Sequence, residues 1–311
     1  MITIYHKPAS QARLETRVEP CDGSWVHVVE PTAEELTRLE RMGLPADFLT
    51  HLSDPDERAR AERDDGLVLI VLRFPYALGP EADLPYATVP LTIIITEQLF
   101  VTITPKATGF LQKFAAGHVR GLSTVKRTRF VLHLFWHIAN AYLGHVRDIN
   151  AAVDALEDRL QRSLRNQEVL GLLKYQKSLV YFTTALKSNE LVLERLQKGR
   201  LLQLYEEDDE LLDDVLIEVR QALEMTSISE SILSQMMDAF ASIISNNLNV
   251  VMKVLTSVTI VISLPTLLAS LYGMNVPLPG AGHPLAFLGV LGVGVLLAVL
   301  VAFVFWRKDW L

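Results

Sequence analysis

The sequence predicts an α+β protein: an N-terminal α/β domain, then a long helical stalk, then two C-terminal helices that cross a membrane. Three observations predict it. Runs rich in β-branched residues alternate with a short helical pattern up to about residue 120. Helix breakers then disappear: no proline lies between Pro105 and Pro265, and no glycine between Gly199 and Gly273. From Val254 to Trp306 there is no Asp, Glu, Lys or Arg, the composition of chain buried in lipid.

Composition narrows the function. Lys and Arg number 29 against 36 Asp and Glu, a net charge of −7, which argues against a nucleic-acid partner. The opening "MITIYHKPASQARLETR" (1–17) has no apolar core of a cleaved signal peptide. Cys21 is the only cysteine, so no disulfide forms within the chain and a reducing compartment fits the soluble part. It reads as a structural thiol.

Taken in order, "WVHVV" (25–29) is a strand candidate. "PTAEELTRLERMG" (31–43) reads as a helix, with Pro at its start, Glu34 and Glu35 in the first turn and Gly43 at the stop. "GLVLIVLRF" (66–74) is a strand, and "LTIIITEQLFVTIT" (91–104) is two strands around a turn at Glu97 and Gln98. Apolar residues then recur at three- and four-residue spacing over 129–164 and again over about 167–198. A third helical run extends from near Arg200 to Leu264, on the order of 90 Å if unbroken. The expected organisation is a soluble domain over 1–120, a stalk region over 121–249, spans at 250–271 and 285–306, a loop over 272–284 and a basic tail over 307–311.

Each apolar run is close to the ~20 residues that a spanning helix needs. Lys253 flanks the first, Arg307 and Lys308 follow the second, and the loop between them has no Lys or Arg. The excess of basic residues on the inner side then puts both chain ends and the N-terminal domain in the cytoplasm. The chain is expected to be a multi-pass protein of the cell (inner or plasma) membrane.

The two spans differ in chemistry. The second has no Ser, Thr or Asn, whereas the first carries Met252, Thr256, Thr259, Ser263, Thr266 and Ser270 at spacings of four, three, four, three and four, with Asn249 three residues before Met252. That spacing is one helix face. Taken alone it fits close helix packing, since Ser and Thr also satisfy backbone carbonyls. Its other use is to line a water-filled pore. The stripe continues the stalk and ends near Asn275, so symmetry-related copies would line one axis; two spans cannot enclose a pore alone.

"YGMN" (272–275) directly after a span, a second span, and the ending "WRKDWL" (306–311) resemble the CorA family of divalent-cation transporters of the Gly-Met-Asn type. The resemblance is strongest in "NVVMKVLTSVTIVISLPTLLASLYGMN" (249–275) and covers the chain. It implies a funnel-shaped homopentamer in which the first span lines the pore. It implies uptake of Mg²⁺, with Co²⁺ or Ni²⁺ accepted, driven by membrane potential and gated by cytoplasmic Mg²⁺. By position, Gly273, Met274 and Asn275 would form the selectivity ring, and Asn249, Met252, Leu255, Thr259, Ser263 and Thr266 the pore lining. Asp214, with Glu218 on the same helix face, would bind regulatory Mg²⁺. Two departures stand out. Val276-Pro277-Leu278-Pro279 follows the motif where relatives often carry an acidic pair, and His51 stands where some carry an acid of the regulatory site, with Asp54 or Asp56 as substitutes.

Other charged groups have bland readings beside sharper ones. "EEDDELLDD" (206–214) has seven acids in nine residues, a solvated face or a cation-attracting skirt. Lys253, Arg307 and Lys308 are positive-inside anchors or a basic collar that repels cations. His133 and His137 are spaced as metal ligands are on a helix; with His145 and the aromatics around them they read as packing. No nucleotide loop and no nucleophile–base set occurs, so an enzyme is not expected. A transporter of Zn²⁺ or another transition metal, with or without a coupled proton, is the alternative within transport, and Met274 argues against it. A non-conducting sensor or scaffold is the other, and the hydroxyl stripe argues against that.

Overall fold

The computed structural model describes all residues except 9–13, 51–53, 65, 120, 163–165, 200, 277–282, 309 and 311. His51 and most of the loop after the Gly-Met-Asn motif therefore lie outside the described residues. The chain divides into two units, Met1–Gln235 and Met236–Leu311.

In the first unit a seven-stranded sheet is built from β1 (Ile2–His6), β2 (Glu15–Arg17), β3 (Ser24–Val29), β4 (Arg60–Asp64), β5 (Leu67–Ala77), β6 (Tyr86–Ile95) and β7 (Leu99–Thr104). The order is β2-β1-β3-β7-β6-β5-β4. Only β3 and β7 pair in parallel; the other neighbours are antiparallel. Alternation sends side chains to two covered faces. Val26, Val28, Val101 and Ile103 pack with Leu39, Leu44 and Leu49 of α1 (Ala33–Arg41), α2 (Ala46–Thr50) and their connection. Trp25 and Phe100 point the other way, against Phe130 at ring distances of 5.0 and 4.5 Å.

The expected strands and the early helix appear where the sequence puts them. Thr32 caps α1: its hydroxyl accepts from Glu35 N, and the Glu35 carboxylate accepts from Thr32 N, a reciprocal box that fixes the start. Unforeseen are β1, β2, β4, α2 and α3 (Gly109–Ala115). They are short, with too few residues to show a period.

Three long helices follow: α4 (Arg127–Arg162), α5 (Asn166–Gln197) and α6 (Asp209–Tyr272). The third starts later than expected. Residues 201–205 are not helical, and a 3-10 turn at Glu206–Asp208 leads into α6. The reason lies in what these residues bond. Thr128 donates to Gln203 O at 2.8 Å, and Lys126 Nζ reaches Glu207 at 2.6 Å, so the segment is held along the start of α4. At the other end α6 runs through Pro265 to Tyr272. A proline costs one N–H donor and crowds the preceding turn, and here the helix continues past it. The first part of α6 buries Leu212, Val215, Val219, Ala222 and Leu233 in the first unit. In the second unit α7 (Ala286–Arg307) follows, free of charged residues up to Arg307. Both α6 and α7 are long and apolar enough to cross a membrane.

Candidate functional site

The two apolar helices of the second unit touch near their loop end. A β-carbon on Gly294 of α7 would lie 3.5 Å from Pro265 Cβ and 3.9 Å from Leu268 Cδ1. This contact sets which face of α6 its own chain covers. Ser257 is buried, and Val261, Leu264, Pro265 and Leu268 are half-buried. Thr259, Ser263, Thr266 and Ser270 each stand two residues beyond a member of that set, about 200° further round the helix. All four are exposed, as are Asn249, Met252, Leu255 and Thr256. The polar stripe therefore points away from α7, and the packing reading fails for that helix.

The hydroxyls are already oriented. Thr259 donates to Leu255 O at 2.7 Å, Ser263 to Thr259 O at 2.7 Å and Thr266 to Ile262 O at 2.9 Å. With their protons spent on the backbone, these oxygens offer lone pairs outward. The face accepts hydrogen bonds and carries no charge. Ser257, on the covered face, has a buried hydroxyl with no hydrogen-bond partner among the described residues.

The stripe is longer than the sequence reading took it to be. Asp238, Ser242 and Ser245 continue it inward from Asn249 at spacings of four, three and four, all exposed. These three residues share the spacing but lie in the charged segment before the apolar run that begins at Val250. At the outer end Gly273 N bonds to Ala269 O at 3.0 Å and to Ser270 O at 3.2 Å, and Met274 N bonds to Leu271 O at 3.4 Å. Gly273, Met274 and Asn275 thus stand exposed just past the last turn of α6.

The charged side chains fall into separate groups. Asp214 is exposed and Glu218 half-buried, one turn apart on α6, beside the buried Val215 and Val219. Among the described residues no three His, Cys, Asp or Glu gather as a metal site. Hydrated Mg²⁺ is commonly held by one or two carboxylates with water filling the rest of its shell, and Asp214 with Glu218 fits that donor count. The acidic run around them is only partly a solvated face. Glu207 pairs with Lys126, which holds its carboxyl below the usual range. Asp208 is buried with Arg129 Nε at 3.6 Å, and burial pushes its carboxyl up.

The three histidines pack. His137 lies edge-on to Phe114 and Trp136, both at 4.9 Å, and His145 sits 5.1 Å from the Tyr86 ring. His133 has a buried Nε2 without a partner, and burial lowers its pKa to about 4, so it is neutral at pH 7. Lys253, Arg307 and Lys308 are exposed, and none is in an ion pair among the described residues.

Comparison with known proteins adds four findings. A family model described as CorA-like Mg²⁺ transporter protein matches residues 22–308. The cobalt/magnesium transport protein CorA of Methanocaldococcus jannaschii is 29% identical over 293 residues, covering 92% of this chain and 91% of that protein. The complete structure of the CorA magnesium transporter from that organism matches with a TM-score of 0.84 at 25% identity, over 100% of this chain and 99% of that one. The cytoplasmic domain of ZntB from Vibrio parahaemolyticus matches with a TM-score of 0.61 at 12% identity, over 80% of this chain and 98% of that one, which is a likeness of fold alone.

Proposed function

The chain belongs to the family of CorA-like Mg²⁺ transporter proteins, and on that premise we propose that it is a membrane channel for uptake of Mg²⁺. One observation carries the proposal: the polar stripe of α6 is turned away from α7 and, among the described residues, is left exposed in its own unit. A stripe of hydrogen-bond acceptors facing lipid would be unfavourable. Several copies around one axis bring it into a shared aqueous path, and five copies is the number the family resemblance implies. The spans run as a hairpin with both chain ends in the cytoplasm.

The chemistry of the stripe suits the cargo. Mg²⁺ dehydrates reluctantly, so a ring that accepts hydrogen bonds from its water shell guides the ion without stripping it. Asn275 would supply such a ring at the outer mouth, with Gly273 and Met274 shaping it, and Thr266, Ser263, Thr259, Met252 and Asn249 would carry the path inward. Neutral acceptors let the ion leave again, which conduction requires. Membrane potential supplies about 2.3 kcal/mol per charge per 100 mV, hence about 4.6 kcal/mol for a divalent ion, a gradient of roughly three orders of magnitude. No proton coupling is needed.

Cobalt stands in the name of the relative from M. jannaschii, and Co²⁺ and Ni²⁺ are included here as further cargo. A Zn²⁺ path would be expected to use imidazole or thiolate; residues 249–275 contain neither. For closure, regulatory Mg²⁺ would sit at Asp214 and Glu218, between copies. The test is ion uptake into liposomes by the purified protein with Asn275→Ala beside the parent. Loss of uptake by an assembled variant supports the pore; normal uptake defeats it.

A further inference from the structure

We propose that the inner end of the α6–α7 hairpin binds the phosphodiester headgroup of an anionic phospholipid through Lys253, Arg307 and Lys308. The site rests on the membrane reading above, and its test does not depend on ion flux.

The contact between Pro265 and Gly294 fixes the level of these residues. Lys253 lies twelve residues before Pro265, and Trp306 twelve residues after Gly294. On antiparallel helices both steps descend roughly 18 Å. Lys253 therefore stands level with Trp306, Arg307 and Lys308. Three cations from two adjacent helices converge at one depth, all exposed. The sequence between them has no acid, and Asp309 is the only acid in the tail, so the cluster is net positive.

The aromatics set the depth. Trp306 is 65% exposed. Trp310 turns back: its N–H donates to Phe305 O at 3.0 Å, and its ring stacks on Phe305 at 5.5 Å with 14° between planes. Amphipathic indole rings belong at the boundary between lipid chains and water. A soluble acidic segment would satisfy the cations and leave the indoles in water, whereas a phospholipid satisfies both. Arg307 offers a fork matched to phosphate oxygens, with the two lysines as point charges. An anionic headgroup held there also offsets positive charge where Mg²⁺ would leave the pore.

The experiment is quenching of tryptophan fluorescence in the full-length protein, reconstituted in phosphatidylcholine vesicles. Brominated phosphatidylglycerol is compared with brominated phosphatidylcholine. The bromines reach Trp306 and Trp310; the other two tryptophans, Trp25 and Trp136, belong to the first unit. At about fivefold per basic residue near an anionic surface, the parent should prefer phosphatidylglycerol by about fivefold or more. Lys253→Gln/Arg307→Gln/Lys308→Gln should bring the preference close to one. Lys253→Gln alone keeps both C-terminal anchors and should at least halve it, which covers a triple variant that fails to insert. Equal quenching of the parent by both lipids overturns the site, as does a preference that survives either substitution. Loss of the preference on adding soluble glycerol phosphate would make free phosphate the ligand and also overturn it.

Discussion

Gly294 of α7 lies against Pro265 of α6, and a β-carbon at Gly294 would sit 3.5 Å from Pro265 Cβ and 3.6 Å from its Cα. That is ordinary van der Waals distance, so one methyl group fits and a longer side chain does not. Gly294→Ala should assemble and transport as the parent does. Gly294→Leu should separate the two helices at an overpacking cost of about 1–3 kcal/mol, read as a lower yield of assembled protein and faster heat inactivation in detergent.

A buried amide completes the sheet of the first unit. β4 stops at the Arg60–Val71 pair, and two residues on, Arg73 N donates to Asn189 Oδ1 at 2.9 Å while Asn189 Nδ2 donates to Arg73 O at 2.7 Å. Asn189, 1% exposed on α5, stands in for the missing strand. Asn189→Ala strands the Arg73 N–H, while Arg73 O keeps the Tyr142 hydroxyl at 3.2 Å, and should destabilise the first unit by about 1–3 kcal/mol, measured by denaturant unfolding of the full chain.

Acid should weaken the same unit through His27, whose pKa burial lowers to about 4. An unfolded histidine titrates near 6.5. Between those values the unfolded state binds the proton and the folded state does not, so stability falls as pH drops from about 6.5 to about 4 and the loss then levels off. The His27 share is on the order of 3 kcal/mol. His27→Phe removes one of two partners of Thr102, whose Oγ1 lies 3.0 Å from His27 Nδ1 and also accepts from Trp25 Nε1 at 2.8 Å. It should be about 1–2 kcal/mol less stable at pH 7 and have a flatter curve below 6.5. A curve as steep as the parent's would exclude His27 as the cause.

Regulation should pass through Asp214. It is exposed on α6 one turn from Glu218, and Asp213 adds a third acid. Bound Mg²⁺ would cancel repulsion between copies and favour the closed state, the differential affinity a population shift requires. Asp214→Ala should raise the internal Mg²⁺ needed for closure by several-fold and leave maximal flux intact. Closure at the parent's Mg²⁺ level would return Asp214 to the solvated acidic face.

Long elements were legible in the sequence and short ones were not. "LTIIITEQLFVTIT" showed both β6 and β7 because β-branched residues bracket a polar turn. The strand β4, "RAERD", has four charges in five residues; its pairing with β5 is tertiary and leaves no local mark. The late start of α6 was also hidden, because it depends on Thr128 and Lys126, more than seventy residues away. The polar stripe was visible as a period. Which way it faced was not, until Gly294 fixed the covered side.

The orientation of that stripe is best tested by cysteine accessibility on a Cys21→Ser background. Single cysteines replace each residue from Met252 to Ser270, and Mg²⁺ flux is measured before and after a charged thiol reagent. The account predicts block at Thr256, Thr259, Ser263 and Thr266, and none at Ser257, Val261, Leu264 and Leu268. Block at the second set, or no block at any position, would contradict it.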